Sequence, residues 1–181
     1  MRALLLSLLV TLGACSSASL QDYADNRPRL VPEAFFQGKL TAHGVVKNRN
    51  GRVQRYFNAT IDASWNPEGQ GRLVERFEFD DGEIQHRTWV LTPEEGGHYQ
   101  ATADDVVGPG KASVSGNTMR LDYRLRVNYK DRELVLGVED WMWLVDEDTI
   151  INQSILRKWG VRVGSIQLTI IRQPANQGAE A

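Results

Sequence analysis

From Met119 to Tyr129 the chain alternates without a break: Met119, Leu121, Tyr123, Leu125, Val127 and Tyr129 are apolar, and Arg120, Asp122, Arg124, Arg126 and Asn128 between them are polar. Successive side chains of an extended strand point to opposite faces, so one face of this segment meets a core and the other meets water. A turn at Lys130-Asp131-Arg132 predicts a long hairpin with 133–144. Asp146-Glu147-Asp148 turns the chain again, and 149–157 and 161–172 read as two closing strands. Upstream, 38–46, 53–65, 72–79, 84–92, 99–106 and 111–115 carry a similar strand pattern. Between them lie Asn50-Gly51, Asn66-Pro67-Glu68-Gly69, Asp80-Asp81-Gly82, Glu95-Gly96-Gly97 and Gly116-Asn117, the residue types that tight turns demand. No window of comparable length has helical period, though 32–36 allows one helical turn.

About ten short strands in sequence order bury their apolar faces best by curling into one closed surface, which also removes sticky edges. The predicted fold is therefore all-β: an antiparallel meander of about 8–10 strands forming a lipocalin-like barrel over 33–174, behind an N-terminal signal peptide and tether. A two-sheet sandwich is the alternative.

The first fifteen residues follow a different logic. Met1-Arg2 and the apolar stretch 3–10 have the form of an export signal, too short for the roughly 20 apolar residues of a membrane span. Leu12-Gly13-Ala14-Cys15 resembles a lipobox, in which small residues admit the peptidase and a nucleophilic thiol receives the lipid. Cys15 is the only cysteine, so an exported chain has no disulfide partner for it. The expectation is a lipoprotein signal peptide over 1–14, acyl chains such as palmitate on Cys15, and a flexible tether over 15–32. An ordinary secretory signal or a buried N-terminal helix is the alternative. Ser16, where an Asp would resemble an inner-membrane retention signal, favours the outer membrane of a Gram-negative envelope, facing the periplasm. Residues 175–181 read as a disordered tail. Cleavage before Cys15 removes Arg2 and no acid, shifting the net charge from -2 to about -3, so anchoring falls to the acyl chains at ~0.8 kcal/mol per buried methylene.

Parity then exposes polar side chains on the core face. If Leu73, Phe77 and Phe79 point inward, Glu75 goes with them. A three-residue turn at Asp80-Asp81-Gly82, with Gly82 left-handed, sets Arg87 opposite Glu75 and Trp89 opposite Leu73. That register predicts a Glu75–Arg87 pair beside Trp89, because an unmatched carboxylate there costs several kcal/mol or takes up a proton. The pair reads as a register-fixing ion pair or as the polar floor of a ligand pocket. Asp140 shares a face with Leu136, Val138, Met142 and Leu144, near Leu121 across the hairpin, with Lys158, Arg87 or backbone amides as candidate partners. Asp104 and Asp105, adjacent on a strand, point opposite ways and make no acid–base pair; Asp105 joins Glu75, Arg87, Trp89, Asp140 and Lys158 in the candidate polar cluster. Trp141 and Trp143 fall on the outer face, as a patch for lipid or a partner or packed under a loop.

Other chemistries find no support. The 21 basic and 23 acidic residues are scattered, which gives no footprint for nucleic acid. A mean hydropathy of -0.38 argues against several membrane spans. His43, His86 and His98 lack ligand spacing, so no metal is expected. With no Gly-x-Ser-x-Gly elbow, phosphate loop or dinucleotide fingerprint, no cofactor and no catalytic residue is assigned.

The runs Phe36-Gln37-Gly38-Lys39-Leu40-Thr41-Ala42-His43-Gly44, Leu73 to Gly82, Arg87-Thr88-Trp89, Ala103 to Gly108, Glu139 to Leu144 and Lys158-Trp159-Gly160 resemble, in this order, the uncharacterised proteobacterial lipoproteins of domain-of-unknown-function family 3833. The resemblance covers nearly all of the mature domain and implies a calycin-type barrel, with no established activity. A weaker similarity is to lipocalins, whose first-strand Gly-x-Trp is Gly38-Lys39-Leu40 here. The expected function is that of a membrane-anchored envelope lipoprotein whose barrel binds a hydrophobic or amphipathic, lipid-like small molecule. The alternatives are a structural or adaptor lipoprotein with a filled barrel and a protein partner, or an enzyme using Glu75 or Asp140.

Overall fold

The computed structural model describes residues 18–129 and 132–174. The leader, Cys15, Ser16, the turn residues Lys130 and Asp131, and the segment 175–181 lie outside the described residues.

Ten strands follow one another: β1 (Gly38–Asn48), β2 (Val53–Trp65), β3 (Gly71–Phe79), β4 (Ile84–Glu94), β5 (His98–Thr102), β6 (Gly110–Ser115), β7 (Thr118–Tyr129), β8 (Arg132–Leu144), β9 (Thr149–Lys158) and β10 (Val161–Arg172). Each pairs antiparallel with the next, and β10 returns to β1 to close the barrel. The all-β meander closes as the alternation predicts, and not as a sandwich. The turn after β3 has the expected form, with Phe79 and Glu83 closing it (Phe79 N to Glu83 O, 3.0 Å) and Gly82 at φ 84. Arg87 accordingly stands across from Glu75, Trp89 from Leu73, and Leu121 from Asp140.

One strand stops early. Residues 103–109, expected to continue β5 as far as Val106, form a loop tied to β7 by Val107 N to Arg124 O at 2.9 Å and Arg126 N to Asp105 O at 2.8 Å. The Gly108-Pro109-Gly110 segment that follows has a proline unable to donate to a ladder, so the chain spends these residues rounding the barrel end.

The two ends differ. Pro32–Phe35 forms the single helical turn α1, and Leu30, Phe35 and Phe36, each 3% exposed, pack onto Leu40, Met119 and Ile150. Burying each large apolar side chain contributes about 1.5–3 kcal/mol. Trp65 Nε1 donates to the Phe36 carbonyl at 2.7 Å, and the Tyr99 hydroxyl donates to Glu33 at 2.7 Å. This end is stoppered. The opposite end, ringed by the β1–β2, β3–β4 and β9–β10 turns, the 103–109 loop and the facing ends of β7 and β8, is a mouth.

The stretch read as a tether is ordered from residue 18. Leu20–Tyr23 is a 3-10 turn, with Ser19 N donating to Asp22 at 2.8 Å. It lies on the outside of the barrel, against β6 and β7. Gly116 makes room for it: at φ 55 a Cβ there would overlap the Tyr23 carbonyl, and the Leu30 amide donates to the Gly116 carbonyl at 2.9 Å. Trp141 and Trp143 do point outward and stack at 6.0 Å, but the Tyr23 ring sits 5.9 and 6.4 Å from them. Trp141 is only 6% exposed. The pair is a covered seat for the N-terminal segment and not an open patch.

Candidate functional site

The barrel encloses a cavity of about 590 Å³, within the ~300–1,000 Å³ common for small-molecule sites. Of the small inward side chains, Ala42 lines it, while Ala59, Ala63, Ala101 and Ala112 belong to the packed core. Ten strands make too wide a ring for the inward side chains to fill. The filled-barrel alternative is therefore not what the chain builds. The stoppered end supplies an apolar floor of Phe36, Leu73, Trp89, Leu91, Met119 and Met142, and Phe77, Phe79, Leu125 and Leu156 lie toward the mouth.

Between these apolar zones runs a polar belt. On β8 and β9 the register sets Asp140 opposite Ser154 and Met142 opposite Asn152. Asp140 Oδ1 accepts from Asn152 Nδ2 and from Ser154 Oγ, both at 2.7 Å. Burial pushes the Asp140 carboxyl up to about 6 against the opposing effect of those two hydrogen bonds.

Arg87 and Glu75 face each other in register, but the expected ion pair is not made. The guanidinium instead grips Asp105 from the 103–109 loop, Nε at 2.9 Å and Nη2 at 2.7 Å from Oδ2. A planar fork meets a carboxylate that reaches it end-on from a loop more readily than one standing beside it on the next strand. The same guanidinium lies 5.7 Å from the Trp89 ring. Glu75 makes no hydrogen bond and no ion pair with any described residue. Burial pushes its carboxyl up to about 7; Arg87 opposes the shift, while Asp140 and Asp105 add to it. Tyr123 joins the belt with its ring edge-on to Trp89 at 5.1 Å. Burial raises its phenol, so the group is a neutral donor and acceptor, and its hydroxyl has no hydrogen-bond partner among the described residues.

Lys158 does not belong to the belt. Its Nζ donates to the Val135 carbonyl at 3.0 Å and sits 5.2 Å from the Trp159 ring. It shares inward parity with Ser154, yet it lies at the last residue of β9, where a long stem carries the charge to the rim.

Parity reasoning thus brings Glu75, Arg87, Trp89 and Asp140 together, whereas Asp105, expected on a strand, stands on the 103–109 loop. It did not single out Tyr123, Asn152, Ser154 or Arg55. Asn152 and Ser154 were legible, since they occupy inward positions between Ile150 and Leu156 and Asp140 needed a partner. Arg55, at the mouth, holds Asp81 and Glu83 at 2.7 Å each and lies 3.7 Å from the Phe79 ring centre, clamping the β3–β4 turn to β2.

The belt holds one guanidinium, already matched to Asp105, and two carboxyls raised by burial, Glu75 to about 7 and Asp140 to about 6. Two polar groups, the Glu75 carboxyl and the Tyr123 hydroxyl, face the cavity with no hydrogen bond to a described residue, though both feel the Arg87 charge. Neither is sealed off from the cavity, so a polar atom of a ligand can replace water there.

The family model described as "Protein of unknown function (DUF3833)" matches residues 9–172. No curated protein matches the chain. Among solved structures, the S-type phycobiliprotein lyase CPES from Guillardia theta is similar at a TM-score of 0.60 and 17% identity, over 81% of this chain and 95% of that one. A protein of unknown function from the DUF3598 family of Nostoc punctiforme is similar at 0.58 and 14%, over 82% of this chain and 51% of that one. This chain therefore spans about half of the latter. At these identities the likeness is one of fold.

Proposed function

We propose that this chain, which belongs to the DUF3833 family, binds an amphipathic, lipid-like small molecule in its barrel, apolar body on the Trp89–Met119–Met142 floor and polar group at the belt. The observation that carries the reading is the unmatched pair Glu75 and Tyr123 in a 590 Å³ cavity. The belt also selects the ligand's polar group. An added anion would meet Glu75, Asp105 and Asp140 around one guanidinium that is already taken, so the group is neutral or cationic: a hydroxyl, an amide, an amine or a protonated carboxyl.

Export, acylation of Cys15 and attachment to the outer membrane facing the periplasm complete the proposal, supported by the lipobox-like Leu12-Gly13-Ala14-Cys15 and by Ser16.

Binding is tested by quenching of tryptophan fluorescence on titration with a long-chain alcohol, amine and carboxylic acid. The alcohol and amine saturate, the carboxylic acid binds only as the pH falls, and Trp89→Ala weakens all three. Absence of saturable binding across the three would refute the reading. Glu75 supports a second reading as a general acid or base, because an unpaired carboxyl titrating near neutrality inside a cavity suits proton transfer. Ligand recovered chemically unchanged after long incubation rules that reading out.

A further inference from the structure

The β9–β10 hairpin turns through two residues, Trp159 and Gly160, at φ 49 and 79. A two-residue turn with both angles positive is normally filled by Asn, Asp or Gly, and a bulky side chain at its first place is disfavoured. Trp159 is the only described non-glycine residue with positive φ, and it is 91% exposed. Apart from the contact with Lys158 Nζ at 5.2 Å, which at an exposed site contributes far less than burial would, folding gains little from a large ring held in water on a left-handed backbone. A residue that offends two local rules at once is explained by something outside the chain.

Its surroundings say what that is. Val161 and Val163, 51% and 39% exposed, extend the apolar surface along β10. The neighbouring β1–β2 hairpin lies alongside, since Lys47 pairs with Ser165 and Asn48 with Gly164. Across these two hairpins, residues 47–55 and 155–167 hold seven Lys and Arg and no Asp or Glu; of these, Arg55 is matched by Asp81 and Glu83 from the β3–β4 turn, and Arg157 lies 3.8 Å from Glu139. Arg49, Arg52 and Arg162, on the same hairpins, are exposed.

We infer that this rim docks on an anionic phospholipid bilayer, with the Trp159 ring in the headgroup layer and the cations at lipid phosphates. Trp is suited to that layer, being apolar with one polar N–H, and Lys and Arg stems reach from it to the phosphates. A lone projecting ring offers little to a protein partner, whose stable interface needs ~800 Å² per side. The docked rim also opens onto the cavity, because Val46, Leu156 and Ile166 of the same strands line it. A lipid-like ligand would enter there.

The test uses the chain from residue 15 on with Cys15→Ser, so that no acyl group contributes and every described residue is kept. It is sedimented with vesicles of phosphatidylcholine, alone or with about a third replaced by phosphatidylglycerol. Binding is expected only with the anionic lipid, weakening as salt rises and falling about fivefold each for Arg49→Gln and Arg162→Gln. Trp159→Asn lowers it about tenfold or more while raising the unfolding midpoint, because Asn accepts the left-handed turn. No binding to anionic vesicles at low salt, unchanged binding by Trp159→Asn, or a lowered midpoint for that variant each overturns the inference. No cavity ligand is used, so the outcome leaves the binding proposal above untouched.

Discussion

Replacing Glu75 by Gln removes the belt's one carboxyl without a protein partner while keeping its shape. The wild-type group titrates at 4.5 when unfolded and at about 7 when folded. A raised carboxyl binds more protons in the folded state, so its cost is absent below pH 4.5 and grows as pH climbs to 7. At 1.36 kcal/mol per pH unit the full cost is at most about 3 kcal/mol, less whatever cavity water screens. The Gln variant has no such slope. Its stability should equal the wild type's near pH 4 and exceed it at pH 8, by roughly 6–12 °C in midpoint for a domain of this size. Asp140, raised to about 6 by burial, tilts both profiles in the same sense, and only its coupling to Glu75 survives in the difference. The assay is thermal unfolding followed by circular dichroism at half-unit pH steps. Parallel profiles would refute the unmatched carboxyl, and a variant less stable at pH 8 would mean that Glu75 is ion-paired with Arg87 after all.

Three further outcomes follow from the packing. Asp105→Ala frees the Arg87 guanidinium and removes one acid beside Glu75, so the Glu75 carboxyl should titrate lower, as read by NMR of the side-chain carboxyl carbons. Phe35→Ala opens the stopper and should cost about 3–5 kcal/mol in urea unfolding, with ligand binding weakened at the floor. Gly116→Ala meets both a left-handed backbone and the Tyr23 carbonyl; it should release residues 18–31, seen as faster proteolytic clipping there and a shift in Trp141 and Trp143 fluorescence.

The barrel was legible because it rests on local facts. Period two marks each strand, Gly82 fixes one hairpin, and register follows by counting, which is why Arg87 lands opposite Glu75. The ion pair failed at the next step, because Asp105 reaches Arg87 from a loop whose path depends on tertiary hydrogen bonds to β7. The docking of residues 18–31 was illegible for a related reason: Tyr23 and Leu30 are isolated apolar residues in a polar stretch, and nothing local says that a Trp pair waits for one of them. The cavity was not legible, because inward parity collects its lining residues but only ring closure over ten strands decides whether they meet or leave empty space. Trp159 was visible only as part of a motif; its backbone angle made it an anomaly.

The Tyr23 seat and the mouth lie at opposite ends of this barrel. Tyr23 docks beside Gly116, at the stoppered end, and Cys15 is eight residues before it. Strands of this length, tilted as in closed barrels, put the Trp159 rim about 30 Å farther on. On the proposal that Cys15 is acylated, the orientation to test has the stoppered end toward the anchoring bilayer and the mouth toward a second surface. Acylated protein held in one vesicle population should therefore gather anionic vesicles of another, measured by light scattering. Trp159→Asn should stay anchored and gather none. Wild-type protein that binds anionic lipid yet gathers nothing would place the mouth against its own bilayer and refute this orientation.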